Sequence, residues 1–209
     1  MIKVVLCDDH AVVRRGVRDT LMEATDIQVV AEADGYASLR EALRLHRPDV
    51  LLLDVDLPGR SGLEILAVLH EEASPVRTVM VSMYPEDQYA IRCLKAGAMG
   101  YLNKGGDPAD LLQAVRTVAQ GRKFITPQIA ELLANHLHAP ESAELHDSLS
   151  ERELQTLRKI ASGKKLSQIA EELMISPKTV SVYRARVLEK LGLSNNAELT
   201  VYAIRNKLV

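Results

Sequence analysis

The sequence predicts two domains of different class: an α/β domain on a five-stranded parallel sheet, followed by a small all-α domain with a helix-turn-helix. Three observations predict this. Apolar runs of strand length alternate with helix-period segments up to about residue 120, every periodic segment from Leu149 onward is helical, and the charge changes sign between the two parts. Residues 1–148 hold 15 Lys and Arg against 22 Asp and Glu, a net of −7, whereas residues 149–209 hold 11 against 6, a net of +5. The basic end invites a polyanion such as DNA, and the competing reading is a solvated helical surface.

The first ten elements come in strict alternation. Strands are expected at 3–7, 28–33, 49–53, 78–82 and 100–102, and helices at 11–24, 36–46, 62–72, 86–96 and 108–120. Because parallel strands need crossover connections, five strands alternating with five helices imply one parallel sheet covered on both faces. A connector helix follows at 127–138, with Ile129, Leu132, Leu133 and Leu137 at helical spacing, and the polar, aperiodic stretch 139–147 reads as a flexible linker.

In the last part, Ser150-Glu-Arg-Glu153 is a capping box opening a helix that Gly163 closes. A short helix at 167–174, the turn Ile175-Ser-Pro-Lys178 and a longer helix to Leu191 make the helix-turn-helix, Gly192 ends it, and 196–206 forms a final helix. The boundaries are therefore 1–121 for the first domain, 122–148 for connector and linker, and 149–209 for the second domain.

Composition narrows the classes. The chain has 209 residues, 47% of them apolar but only 3% aromatic and none Trp, so its cores are aliphatic. No apolar run approaches the roughly 20 residues of a membrane helix, and the N-terminus reaches Asp8-Asp9 too soon for a signal peptide. A soluble, cytoplasmic protein is expected. Cys7 and Cys93 lie inside periodic segments without Cys-x-x-Cys spacing and read as buried thiols; the six His, including His136 and His138, read as surface residues.

The chemistry collects where strands end. Asp8 and Asp9 end the first strand, Asp54 the third and Ser82 the fourth, while Lys104 lies two residues past the fifth. With the flavodoxin-like order 2-1-3-4-5, the first and third strands are neighbours about 4.8 Å apart, so three carboxylates crowd one rim at the point where the order reverses. Their repulsion calls for a hard divalent cation such as Mg²⁺. Lys104 and Ser82 then suit phosphate oxygens. The stretch Asp54-Val-Asp56 taken alone fits either a hydrolase nucleophile with its acid/base partner or a place where phosphate is received.

Residues 1–121 resemble the receiver domain of bacterial two-component response regulators through Cys7-Asp-Asp-His10, Leu51-Leu-Leu-Asp-Val-Asp-Leu-Pro-Gly59, Val79-Met-Val-Ser-Met83 and Gly100-Tyr-Leu-Asn-Lys104. That resemblance implies that Asp54 is the phosphoacceptor and takes its phosphoryl group from a sensor histidine kinase in the presence of Mg²⁺. It further implies Asp9 and Asp54 as side-chain metal ligands, Asp56 through its backbone carbonyl and Asp8 through water. Ser82 and Tyr101 become the switch pair, the hydroxyl moving onto the phosphoryl and the ring turning inward; the plain alternative for Tyr101 is an amphipathic ring at a strand edge. Two departures stand out: Gly105-Gly106 replaces a common Pro after Lys104, which argues against a cis bond there, and Leu57 stands where Met is common.

The rival resemblance is to haloacid-dehalogenase-type phosphohydrolases, whose first motif is also Asp-x-Asp after an apolar run. In those enzymes the acidic pair follows the lysine, whereas Asp8-Asp9 precedes Asp54, and no acidic pair follows Lys104 within the sheet. A third reading is a DNA-binding regulator indifferent to phosphorylation, with the acidic rim serving only structure or metal.

On the long helix of the second domain, Val180, Arg184, Val187, Leu188 and Leu191 share one face, whereas Ser181, Val182, Ala185 and Arg186 point elsewhere. Val182 lies nearly opposite the core, where it can meet a thymine methyl in a major groove. Leu149-Ser-Glu-Arg-Glu-Leu154, Ile169-Ala-Glu-Glu-Leu173 and Ser176-Pro-Lys-Thr-Val-Ser-Val-Tyr-Arg184 resemble the LuxR-type helix-turn-helix of the NarL/FixJ class. That resemblance implies base contacts at Ser181, Val182 and Ala185, with Lys178, Thr179, Arg184 and Arg186 nearer the phosphates. Tyr183 replaces a His common there. It also implies a homodimer through the last helix, near 198–203. The expectation is a phosphorylation-controlled transcription regulator that binds promoter DNA and answers to a sensor histidine kinase. RNA polymerase is a further partner, and no enzymatic activity is expected beyond the receiver's own aspartyl phosphorylation and dephosphorylation.

Overall fold

The computed structural model describes residues 1–138 and 145–209. Five parallel strands, β1 (Ile2–Cys7), β2 (Ile27–Ala33), β3 (Val50–Asp54), β4 (Arg77–Ser82) and β5 (Gly100–Asn103), form one sheet in the order β2-β1-β3-β4-β5. They alternate with α1 (Ala11–Met22), α2 (Tyr36–His46), α3 (Gly62–Glu71), α4 (Glu86–Lys95) and α5 (Pro108–Ala119). All five residues of β3 are buried, as a central strand covered on both faces requires. Successive side chains of a strand point to opposite faces. Val4, Leu6, Leu52, Val79, Val81 and Leu102 accordingly share one core cluster with Leu21 of α1 and Ala114, Val115 and Val118 of α5.

The chain winds from β1 outward to β2 and then returns past β1 to β3. This reversal sets the carboxyl ends of β1 and β3 side by side, and the register Cys7 opposite Leu53 carries Asp8 to the level of Asp54. On the other flank Asp54 pairs with Val81, and Ser82 with Asn103. Strands separated by up to about 100 residues of chain thus end on one rim.

The helix predicted at 127–138 forms as α6 (Pro127–His138) and packs on α4. Before it, Phe124 makes a parallel bridge to Gly100, and the Thr126 hydroxyl donates to the Glu86 carboxylate at 2.8 Å while accepting from the backbone N–H of Ile129 at 3.2 Å. The contacts of the chain divide after His138, so α6 belongs to the first unit. Of the stretch expected as linker, residues 139–144 lie outside the described residues, and Leu145–Ser148 forms a 3-10 turn where irregular chain was expected.

The second unit contains α7 (Glu151–Ala161), α8 (Leu166–Glu172), α9 (Pro177–Leu191) and α10 (Asn196–Arg205). The capping box forms as expected: the Ser150 hydroxyl accepts from the Glu153 N–H, and the Glu153 carboxylate accepts from the Ser150 N–H at 2.7 Å. Helix α8 stops short of the expected Met174, whose φ of 51° is left-handed and cannot continue a helix. Helix α9 opens with Pro177 in its first turn, where the missing N–H costs nothing, and closes on Gly192 at φ 65°. Val180, Val187 and Leu191 of α9 are buried, as are Leu199 and Ala203 of α10. Among the described residues no helix is long and apolar enough to cross a membrane.

Two glycines separate close approach from mere helix content. A Cβ on Gly62 would stand 1.9 Å from the Asp54 carbonyl oxygen, so only glycine lets α3 start against the end of β3; Gly16, exposed on α1, has no neighbour within 4 Å of such an atom. Urea denaturation is expected to show Gly62→Ala destabilised by about 1–3 kcal/mol and Gly16→Ala stabilised by about 0.5–1 kcal/mol.

Candidate functional site

The rim gathers Asp8, Asp9, Asp54, Ser82 and Lys104, delivered by the ends of β1, β3, β4 and β5 or the turns after them. Lys104 Nζ lies 2.8 Å from Asp54 Oδ2 and 2.7 Å from Asp8 Oδ2, and all three side chains are buried. The turn after β1 is pinned from within the backbone: the His10 N–H donates to Asp8 Oδ1 at 2.8 Å, and Arg14 donates to the Asp8 carbonyl at 2.5 Å while pairing with Glu32 at 2.9 Å. The Asp56 N–H donates to Asp54 Oδ1 at 3.2 Å, so the loop after β3 folds back on the carboxylate it follows. Asp9 is exposed, with His10 Nδ1 2.9 Å from its Oδ1.

Burial dominates the titration of this group. Asp54 is pushed up from 3.8 to about 7 because desolvation disfavours its charged form, although Lys104 pulls the other way; the neighbouring Asp8 charge adds to the rise. Burial alone would lower Lys104, but Asp54 and Asp8 outweigh it and hold the ammonium charged. Cys7 is pushed up to about 12 by burial and then by Asp54 and Asp8, so its thiol stays protonated and inert.

Donor atoms of Asp8, Asp9, His10 and Asp54 all lie within 4.8 Å of one another. Three carboxylates around one point fit a hard divalent cation with oxygen ligands, which is a general property of receiver domains.

Behind the rim, the Ser82 hydroxyl accepts from the Tyr84 N–H at 3.2 Å. The Tyr101 ring is fully buried and its hydroxyl donates to the Tyr84 carbonyl at 2.7 Å. The Tyr101 ring thus already lies inward on the edge strand β5, with its apolar body packed and its hydroxyl bonded. Asn103 was not singled out from the sequence, yet its amide donates to the same Tyr84 carbonyl at 3.0 Å and its oxygen accepts from the Gly105 N–H at 2.8 Å. It orders the Gly105-Gly106 loop that lacks proline, and among the described residues no peptide bond is cis. Tyr84, Arg14 and His10 were missed too. Only His10 carried a sequence signal, its place directly after the acidic pair.

On α9, Lys178, Ser181, Val182, Ala185 and Arg186 are exposed, and Val182, 44% exposed, stands away from the core. The Ser176 hydroxyl caps the helix at the Thr179 N–H. Three of the expected DNA-facing groups are engaged inside the domain: the Thr179 hydroxyl shares a hydrogen bond with the Ser176 hydroxyl at 2.8 Å, the Ser181 hydroxyl donates to the Pro177 carbonyl at 3.0 Å, and half-buried Arg184 donates to Asn196 at 2.5 Å.

A buried aspartate bridged by lysine at the reversal point of a parallel sheet, on the same chain as a helix-turn-helix with a polar outer face, defines a signal-receiving regulator. The family model "Response regulator receiver domain" matches residues 4–116, and "Bacterial regulatory proteins, luxR family" matches residues 147–203. Similar proteins include response regulator GacA of Pseudomonas syringae pv. syringae (strain B728a), 41% identical over 100% of this chain and 98% of its own. Response regulator UvrY of Escherichia coli (strain K12) is 39% identical over 100% and 96%.

Among solved structures, response regulator ChrA of a heme-sensing two-component system covers 100% of this chain and 98% of its own at 31% identity and TM-score 0.55. RcsB, as two dimers bound to two parallel DNAs, covers 96% of each chain at 26% identity and TM-score 0.60. The chain belongs to the response-regulator family, NarL/FixJ class, with a receiver domain and a LuxR-type DNA-binding domain. It is a transcription regulator rather than a conventional enzyme, and the phosphohydrolase reading falls.

Because Asp54 titrates higher in the fold than in the unfolded chain, the folded state holds a proton that unfolding releases between pH 3.8 and about 7. Its contribution to stability therefore falls as pH rises through that window, and Asp54→Asn removes the fall. In metal-free buffer the melting temperature of Asp54→Asn relative to the parent protein is expected to rise by a few degrees from pH 4 to pH 8. A difference that stays flat between those pH values contradicts the assignment.

Proposed function

We propose that residues 1–121 receive a phosphoryl group on Asp54, that 122–148 connect, and that 149–209 turn the signal into promoter binding. The observation that supports this reading is Lys104 bridging Asp54 and Asp8 at the sheet's reversal point. In the transfer, an Asp54 carboxylate oxygen attacks phosphorus, the bond from phosphorus to the donor histidine nitrogen breaks, and the released imidazole takes up a proton. The product is an acyl phosphate. Lys104 exchanges part of its contact with Asp54 for a phosphoryl oxygen and stabilises charge in the transition state. Mg²⁺ held by Asp9, Asp54 and the Asp56 carbonyl, with Asp8 acting through water, would supply the remaining positive charge. The side chain of Asp56 stays outside the transfer.

Ser82 then trades the Tyr84 N–H for the phosphoryl. That releases one of the bonds fixing Tyr84, whose carbonyl is also held by Tyr101 and Asn103. Because the Tyr101 ring is already inward, the switch acts on the Tyr84 backbone and the start of α4 rather than through a large ring swing. The result is a shift between two states of one fold.

In the output domain, α9 enters a major groove. Val182, Ala185 and Ser181 face bases; Lys178, Thr179, Arg186 and Arg184 lie nearer the phosphates. Val201 and Ile204 of α10 are exposed and suit a homodimer contact, whereas Leu199 and Ala203 pack inside the domain. A sensor histidine kinase and double-stranded promoter DNA are the partners, RNA polymerase is a candidate partner at the promoter, and the site of action is the bacterial cytoplasm.

Incubation with acetyl phosphate and Mg²⁺, followed by mass spectrometry, is expected to place one phosphoryl group on Asp54 and none in Asp54→Asn; equal labelling of both proteins refutes the assignment. For the output domain, Lys178→Ala is expected to weaken binding to all DNA sequences alike and to lower the slope of log affinity against log salt by about 1. Val182→Ala is expected instead to change the ranking among sequences, read by selection from a randomised duplex pool.

A further inference from the structure

We propose that His10 is a metal-selectivity residue: its imidazole stands as a nitrogen donor beside Asp9, so the acidic rim takes borderline transition dications such as Co²⁺ with His10 as a ligand, and Mg²⁺ without it. This rests on the reading above that the rim is a dication site. His10 occupies the N-cap of α1, a position where Ser, Thr, Asp or Asn usually satisfies the helix with a side-chain oxygen. It makes no side-chain cap bond. Helix formation therefore gives no reason for an imidazole there.

The ring turns instead to the carboxylates, with Nδ1 2.9 Å from Asp9 Oδ1 and 3.5 Å from Asp8 Oδ1. Two ligands at adjacent corners of an octahedron with bonds of about 2.1 Å stand about 3.0 Å apart. The His10–Asp9 separation matches such an edge with little movement, and the backbone bond from the His10 N–H to Asp8 keeps the residue in place. The side chain is 64% exposed, so water and ions reach the ring.

The donor set then decides which cation uses the ring. Mg²⁺ prefers oxygen and keeps its waters, so the carboxylates suffice. Imidazole suits the later first-row metals, whose affinity for nitrogen ligands rises along the series, and for these His10 replaces one water. The 2.9 Å contact is also the length of a hydrogen bond, which would order Asp9 for every cation equally. Selectivity separates the two roles.

Isothermal titration of the full chain with MgCl₂ and with CoCl₂ would compare the parent protein, His10→Ala and Asp9→Asn. His10→Ala is expected to weaken Co²⁺ binding about tenfold or more while changing Mg²⁺ binding less than about twofold. Asp9→Asn is expected to weaken both. With one equivalent of Co²⁺ bound, hyperfine-shifted imidazole ring-proton resonances in the proton NMR spectrum should appear in the parent protein and vanish in His10→Ala, with circular dichroism confirming that the variant folds. Equal loss of both cations in His10→Ala, no change in either, or no shifted imidazole resonance with Co²⁺ overturns the proposal while leaving the rim a dication site. A parent protein that binds neither cation overturns the dication reading along with it.

Discussion

Everything in the first domain turns on placing Lys104 between two buried carboxylates. Asp8 and Asp54 end adjacent parallel strands, and at such spacing two desolvated negative charges cannot both persist without a cation. Lys104 supplies it at 2.7 and 2.8 Å. The arrangement also leaves Asp54 poised rather than satisfied, because burial lifts its pKa towards neutrality against the pull of the lysine. A group held near its titration point responds strongly to a change in nearby charge, which is what a phosphoryl group and a divalent cation bring.

The rim is connected to the start of α4 through Tyr84. Its N–H is held by Ser82, its carbonyl by Tyr101 and Asn103, and its ring stacks on Tyr89 of α4 with centroids 4.7 Å apart. Two residues further on, α4 begins at Glu86, whose carboxylate accepts the hydroxyl of Thr126, the residue just before the connector helix α6. A contiguous set of hydrogen bonds and ring contacts therefore runs from the acidic rim to the chain leading out of the domain. Contiguity is a route; the function proposed above gives it two states through the choice of partner open to the Ser82 hydroxyl.

The second domain solves a different problem with simpler means. Capping by Ser150, Ser176 and Asn195 and a left-handed Gly192 set where helices start and stop, and the apolar faces of α7, α8, α9 and α10 build the core. The outer face of α9 is thereby freed for an outside partner. Arg184 shows the limit of helix-wheel reasoning: it lies near the buried face yet carries charge, and the domain uses it to tie α9 to Asn196 at the start of α10.

The sequence by itself determined the element order and the strand-end residues Asp8, Asp9, Asp54, Ser82 and Lys104, whereas the sheet order entered only as the flavodoxin-like case. The element order and those residues follow from local rules: strand and helix periods, the crossover needed between parallel strands, and the carboxylates, hydroxyl and lysine at strand ends. It also determined the charge split and the exposed positions on α9, since both are read along the chain or around one helix. What only the tertiary structure decided is how those groups are engaged. The inward ring of Tyr101, the Asn103 and Tyr84 bonds, the turn of His10 towards Asp9 and the docking of α6 on α4 all depend on contacts between segments far apart in the chain. A period along a sequence specifies which face a residue occupies; which atom it meets there depends on packing, and packing is a property of the assembled domain.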